Sequence, residues 1–270
     1  MTGLVLATHP LPCLAVSAFV TAMAVAAGLD AKAALLGAAV LCGQLSVGWS
    51  NDAIDAPLDT AARRPDKPIA LGHVSRRLVA ACAAVALLAD IPLSLAVGVR
   101  AGLLHLGAVA LAWAYNLGVK RTVASALPYA AAFGLVPVVV AAAKDGAPSP
   151  RAALVVAGVA CGIAAHFANT VGDSAEDAMT GVRGLPQRLG PAVSTAVAGA
   201  FIAVAAVAVL VAVGPQPLPI VAAAIDVTLA GTVPWLLRGP TTRRRAFRVV
   251  IGGVAVLVIA FVVAGGSKLT

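Results

Sequence analysis

Charge is scarce in this chain. Only 11% of its 270 residues are Asp, Glu, Lys or Arg, 4% are aromatic and 61% are hydrophobic. Soluble domains carry roughly 25% charged residues, so a water-facing surface cannot be built from this stock and a soluble protein is excluded. Cysteine is also sparse: Cys13, Cys42, Cys82 and Cys161 stand singly in apolar runs with no CxxC pair, which points to small buried side chains rather than a disulfide or zinc framework. The chain has no GxSxG, no HExxH and no Walker loop, which removes the signatures of serine hydrolases, zinc proteases and P-loop NTPases. No lysine or arginine precedes Lys32 and further apolar runs follow, so LPCLAVSAFVTAMAVAAG reads as a first transmembrane helix rather than a secretory leader.

What the chain does have is apolar length. Several runs of about 18 or more apolar residues are long enough to cross a bilayer as helices. Helices are expected at 11–28, 33–51, 78–98, 102–119, 124–143, 152–172, 191–213, 217–237 and 247–265, separated by turn-forming stretches such as GLDAK, RPDKPIALG, KDGAPSP and GPQPLP. In lipid each span must satisfy its own backbone hydrogen bonds, and no barrel-like alternation is visible, so the expected class is an all-α polytopic membrane protein in one domain over 1–270. Of the 19 basic residues, only Lys32, Arg100, Lys144, Arg151 and Lys268 fall outside the connections after the second, fourth, sixth and eighth helices. The bias predicts a cytoplasmic N-terminus in an integral protein of the cell membrane. The net charge of +8 then serves topology and attraction to anionic lipid, not nucleic acid.

The 11 acidic residues are concentrated. Asp52, Asp55, Asp59 and Asp66 lie in one stretch, and Asp173, Glu176 and Asp177 in another. The two stretches share a pattern: Asn51, Asp55 and Asp59 are spaced by four, as are Asn169, Asp173 and Asp177. A spacing of four keeps side chains near one helical face. Each cluster ends an even-numbered helix and is followed by arginines, as an internal duplication facing a shared cavity would be. Opposed carboxylate and amide faces repel unless cations lie between them, and oxygen-only ligands suit Mg2+ with substrate phosphate completing its shell. Guanidinium and ammonium groups nearby suit phosphate as well. The competing reading is that the acids are helix-cap and loop charges balancing the arginines.

These residues resemble a known family. NDAIDAPLD matches the NDxxDxxxD signature of the UbiA-type intramembrane prenyltransferases, and ARRPDKPIALGHVS resembles the basic segment that follows it. DSAEDAMTG with its later Leu-Pro and Leu-Gly resembles the family's second motif, and AYNLGVKR its tyrosine-to-lysine stretch. The resemblance implies nine transmembrane helices in a ring around a central cavity. It also implies transfer of an isoprenyl group from a diphosphate donor to a hydrophobic or aromatic acceptor, with Mg2+ as cofactor. Carried over by position, Asn51, Asp55, Asp173 and Asp177 are the main magnesium-facing set, with Asp52, Asp59 and Asn169 completing it. Arg64, Lys67 and Lys120 hold the diphosphate, joined by Arg121 and by Arg183, which stands where many relatives have lysine. Tyr115 lies close to the departing oxygen, and Asp55, Asp173, Tyr115 and Lys120 are the expected catalytic group. The same scaffold could serve a membrane terpene cyclase that needs no acceptor; a third reading is an ion or lipid-phosphate transporter.

A few residues carry two readings each. His166 could face the acceptor or simply pack, and Trp49 could shield a carbocation or anchor at the interface. His73 reads as interfacial, and the arginines at 243–245 as loop anchors at the lipid surface. Asp90 and Asp226, inside apolar runs, attract suspicion but have no acidic or basic neighbour in sequence.

Overall fold

A computed structural model of the protein describes residues 2–172, 177, 181–236 and 245–270. Among these residues there is no strand, and eleven α-helices follow one another. They are α1 Thr2–Leu6, α2 Pro10–Ala26, α3 Ala31–Ala61, α4 Arg76–Val97, α5 Val99–Leu117, α6 Leu127–Ala142, α7 Ala152–Gly172, α8 Leu185–Leu189, α9 Pro191–Val213, α10 Pro217–Leu236 and α11 Ala246–Gly265. All except α1 and α8 correspond to an expected span. By length and apolarity α3, α4, α7, α9 and the 247–264 part of α11 qualify as membrane crossings, while α2, α6 and 217–231 of α10 are apolar but shorter. From α2 to α7 each helix packs on the next; α7 packs on α9, α9 on α10, α10 on α11, and α11 returns to α2.

Small residues set the closest contacts. Gly158 and Gly162 on α7 lie so near the carbonyls of Phe133 and Tyr129 on α6 that a Cβ at either would collide. One of those carbonyls has no helical donor, because Pro137 lacks the N–H that would reach Phe133. Close approach by a glycine face is how helices pack where lipid offers no hydrophobic drive between them.

The second long helix corrects the sequence expectation. The expected span stops at 51, yet α3 runs on to Ala61 and carries the whole acidic motif. Pro57 sits inside it and cannot donate to the Ala53 carbonyl. Arg76, at the start of α4, donates its Nε–H to that carbonyl at 2.8 Å instead. Ser75 caps α4 by accepting from the Leu78 N–H at 3.2 Å, a standard use of serine before a helix.

The ends of α2 and α3 close with the same hydrogen bonds. After α2, Leu29 N–H bonds to Ala24 O and Gly28 N–H to Val25 O, and Gly28 takes φ 77°. After α3, Arg64 N–H bonds to Asp59 O and Arg63 N–H to Thr60 O. Here the left-handed position falls on Arg63, at φ 50°, where glycine would be unstrained. The turn swings Arg64 back over Asp59.

Two acids lie within the bundle. Asp90 Oδ1 accepts from Ser94 Oγ at 2.8 Å and stands 3.5 Å from His105 Nδ1, while its Oδ2 makes no hydrogen bond among the described residues. Neither oxygen of Asp226 makes one; a Cβ on Gly253 of α11 would stand 2.8 Å from its Oδ1. Trp49 has a simpler role. Its indole N–H donates to Leu4 O at 3.0 Å and its ring packs with Ala7, Ala53 and Val79, tying α1 to α3.

Candidate active site

The last turns of α3, the end of α5, the end of α7 and helix α8 meet at one end of the bundle around a cavity of about 220 Å3. One wall presents Asn51, Asp55 and Asp59, the other Asn169, Thr170 and Asp177, and Arg64, Lys67, Tyr115 and Lys120 line the same space. Both acidic motifs, 118 residues apart in sequence, thus reach one cavity. Asp173 and Glu176 lie outside the described residues, as do Arg238, Arg243 and Arg244; Arg245 is exposed.

Two carboxylates at the first wall, Asp55 on it and Asp52 behind it, meet lysines. Lys120 Nζ stands 2.6 and 2.5 Å from the two oxygens of Asp55. Lys67 Nζ donates to Asp52 Oδ1 at 2.6 Å, and His9 Nε2 stands 2.9 Å from the same oxygen. Burial opposes the charge of Lys67, but the carboxylates of Asp52 and Asp59 outweigh it and hold the ammonium above its ordinary range. Arg64 forms a two-bond fork to Asp66, at 2.9 and 2.8 Å. That fork is the main reason the Asp66 carboxyl is held down to about 2.

Amides hold the rest. Asn51 Nδ2 donates to Asn116 Oδ1 at 3.2 Å, and Gln187 Nε2 on α8 donates to Asp177 Oδ2 at 2.7 Å. Tyr115 meets Tyr129 edge-on, with ring centroids 5.1 Å apart, and meets His166 at 5.6 Å. His166 is fully buried, with Nε2 3.0 Å from Ser125 Oγ. It therefore backs Tyr115 and does not line the cavity.

Three residues expected in the site lie off its lining. Asp52 is one residue past Asn51, which turns it by about 100° on a helix, and it is buried against Lys67 and His9. Arg121 follows Lys120 in the 3-10 turn Val119–Arg121; with three residues per turn, neighbours diverge by about 120°. Lys120 points inward and Arg121 is exposed. Arg183 is likewise exposed while its neighbour Val182 lines the cavity. Conversely, His9, Asn116, Tyr129 and Gln187 belong to the site although no motif singles them out. Asn116 and Gln187 lie inside stretches already bearing the motifs, which is their only signal in the sequence.

Below the polar cavity lies an apolar one of about 180 Å3 that shares Pro12, Gln44, Val47, Tyr115, Tyr129 and Phe247 with it. A third, of about 90 Å3, shares Val16, Phe19, Val20, Phe133, Val136 and Val254 with the second. A polar head space thus leads into apolar ones.

The sequence profile of the UbiA prenyltransferase family matches residues 11–251. The chain belongs to this family. Among curated proteins, none matches it by sequence. Solved UbiA structures share its fold. A UbiA homologue from Archaeoglobus fulgidus bound to DMAPP and Mg2+ superposes with a TM-score of 0.68 at 16% identity, covering 96% of this chain and 98% of that one. An apo UbiA homologue from Aeropyrum pernix K1 gives 0.69 at 21% identity, over 92% and 97%. A digeranylgeranylglyceryl phosphate synthase gives 0.69 at 15%, over 99% of each chain.

The donors present fit a hard cation. Asn51, Asp55 and Asp59 on one wall, with Asn169 and Asp177 on the other, offer only carboxylate and amide atoms to the cavity, and no sulfur or imidazole competes on those two walls. Among the described residues, no three His, Cys, Asp or Glu side chains cluster closely enough to hold a metal by themselves. A cation here would lean on the amides and on phosphate oxygens, as Mg2+ does in sites that share it with a substrate.

Proposed function

We propose that this protein is a magnesium-dependent intramembrane prenyltransferase. It moves an isoprenyl group from an isoprenyl diphosphate to a membrane-accessible aromatic or lipid-like acceptor and releases diphosphate. One observation carries the reading: two oxygen-rich motifs and three cations line one cavity that opens toward apolar space. The DMAPP and Mg2+ bound by the Archaeoglobus homologue support the same class of donor and cofactor.

Asp55, Asp59, Asn51, Asn169 and Asp177, with Asp173, hold the cation in this reading. Arg64, Lys67 and Lys120 bind the diphosphate oxygens. When bound, Mg2+ supplies charge neutralisation to the leaving diphosphate. The C1–O bond of the donor breaks with its electron pair leaving on oxygen, and the fixed cations stabilise that charge without reorganising. Tyr115 and Tyr129, in edge-to-face contact at the junction of the polar and apolar cavities, offer π faces to the allylic cation. The acceptor's nucleophile forms the new bond to C1 and loses a proton. The isoprenyl tail lies in the apolar cavities. The closed order of helix packing supports a nine-helix ring, and the matched walls support an internal duplication. The placement of basic residues supports a cytoplasmic mouth, in the cell membrane.

The test is diphosphate release by protein purified in detergent with Mg2+ and geranyl, farnesyl or geranylgeranyl diphosphate, with and without a membrane extract. Prenylated lipid should form only with the extract. Asp55→Ala and Asp173→Ala should each slow release by about 100-fold or more, the scale seen when one transition-state contact is removed. Undiminished release in both variants removes the metal site; acceptor-free release of a cyclic hydrocarbon replaces the transferase with a cyclase.

A further inference from the structure

We infer that Asn116 is a positioning residue that fixes which atom of Asn51 faces the cavity; the inference rests on reading the cavity as a metal–diphosphate site. Asn116 is 3% exposed at the end of α5, and its hydrogen bonds leave its amide one orientation. Its nitrogen lies 2.9 Å from Val47 O and 2.8 Å from Ser50 Oγ on α3. Val47 O is a carbonyl and can only accept. Ser50 has one hydroxyl proton, which it donates to that same carbonyl at 2.9 Å, so toward Asn116 Ser50 also accepts. Both acceptors need the NH2 end of Asn116, and its two N–H bonds serve them.

The oxygen end of Asn116 is therefore turned toward Asn51, 3.2 Å away. Two amide oxygens at that distance would repel, so Asn51 must present its nitrogen to Asn116. Its Oδ1 is left for the cavity that Asn51 lines. An asparagine free to flip would also turn its NH2 group to the cavity, an orientation that a cation would have to reverse on binding. Asn116 removes that alternative, and because Val47 and Ser50 sit on the same helix as Asn51, the lock moves with the ligand it orients. Amide identity is assigned from such networks, and here the Ser50 hydroxyl proton and both amide protons of Asn116 have acceptors.

The deciding measurement is Mn2+ binding by the full-length protein in detergent with inorganic diphosphate, read by electron paramagnetic resonance, for wild type and for Asn51→Ala, Asp55→Ala, Asn116→Leu and Ser50→Ala. Leucine keeps the shape of Asn116 and removes its hydrogen bonds. Asn116→Leu should weaken Mn2+ binding about 10-fold, the lower end of what partners of metal ligands contribute. In turnover it should raise the Mg2+ needed for half activity while leaving the donor KM at saturating Mg2+ unchanged. Ser50→Ala, which removes one of the two acceptors and disturbs packing least, should show a smaller shift in the same direction and carries the test if the leucine variant does not fold. Wild-type binding in Asn116→Leu alongside weakened binding in Asn51→Ala would reduce Asn116 to packing and overturn the inference. Wild-type binding in both Asn51→Ala and Asp55→Ala would remove the metal reading itself, and the inference with it.

Discussion

The acids at the mouth of the cavity and those inside the bundle are treated oppositely. At the mouth, Asp52 and Asp55 each meet a lysine ammonium within 2.6 Å. Inside, Asp90 meets only a serine hydroxyl and a histidine, and Asp226 has no hydrogen bond to either oxygen among the described residues. Burial alone does not separate them, since Asp52 is 2% exposed and Asp226 0%. What differs is what the chain brings to meet them. Opposite charges are delivered to the end where anions are handled, while the interior acids are left to weak partners, at a cost to stability.

Removing the charge partner at the mouth should have the largest effect on stability. Lys67→Met leaves Asp52 buried with His9 alone, and breaking a buried pair costs about 3 kcal/mol, read as a large fall in melting temperature. The same pair sets an alkaline limit. Because the folded pKa of Lys67 lies above its ordinary 10.5, its stabilisation is complete below that value and is lost as pH rises through the folded pKa. Melting curves between pH 8 and 12 should show this loss in wild type and not in Lys67→Met.

The interior acid should respond in the reverse sense. Asp226→Ala removes a buried carboxyl that makes no hydrogen bond among the described residues and should stabilise the protein by about 1 kcal/mol; a lower melting temperature would mean that the carboxyl supports the packing of α10 on α11. The smallest change tests strain at the mouth. Arg63→Gly relieves a left-handed arginine worth roughly 1–2 kcal/mol, less the greater freedom glycine gains when unfolded. A net gain of about 0.5–1 kcal/mol is expected, measured by thermal melting, without loss of the 59–64 turn.

Much of this architecture is legible in the amino-acid sequence. Each of the nine apolar runs forms a helix, and the fourfold spacing of Asn51, Asp55 and Asp59 places all three on the cavity. The end of α3 is less legible: the apolar run stops at 51, and although the spacing of four puts the acids near one helical face, Asn, Asp, Thr and Pro crowd 51–61 and hide how far the helix continues. Helix persists there because Arg76 replaces the donor that Pro57 lacks, and a residue 23 positions away is invisible to local pattern. Asn116 escapes notice for the same reason: its partners exist only where α5 crosses α3. Arg121 and Arg183 show the opposite error, in which a basic residue beside a motif reads as part of it. Each lies one position along the chain from a residue that lines the cavity, Lys120 and Val182, and is itself exposed.

The order of the partners along the chain has a consequence for biosynthesis. Asp52, His9 and Lys67 all lie within the first 67 residues, so this ion cluster can assemble once α3 and the loop after it have been made. Asp55 must wait for Lys120, and the opposite wall for Gln187. A ribosome releases the N-terminal part first, so the most deeply buried charge of the site is neutralised early, while the cavity it borders gains its far side only after most of the chain has been translated.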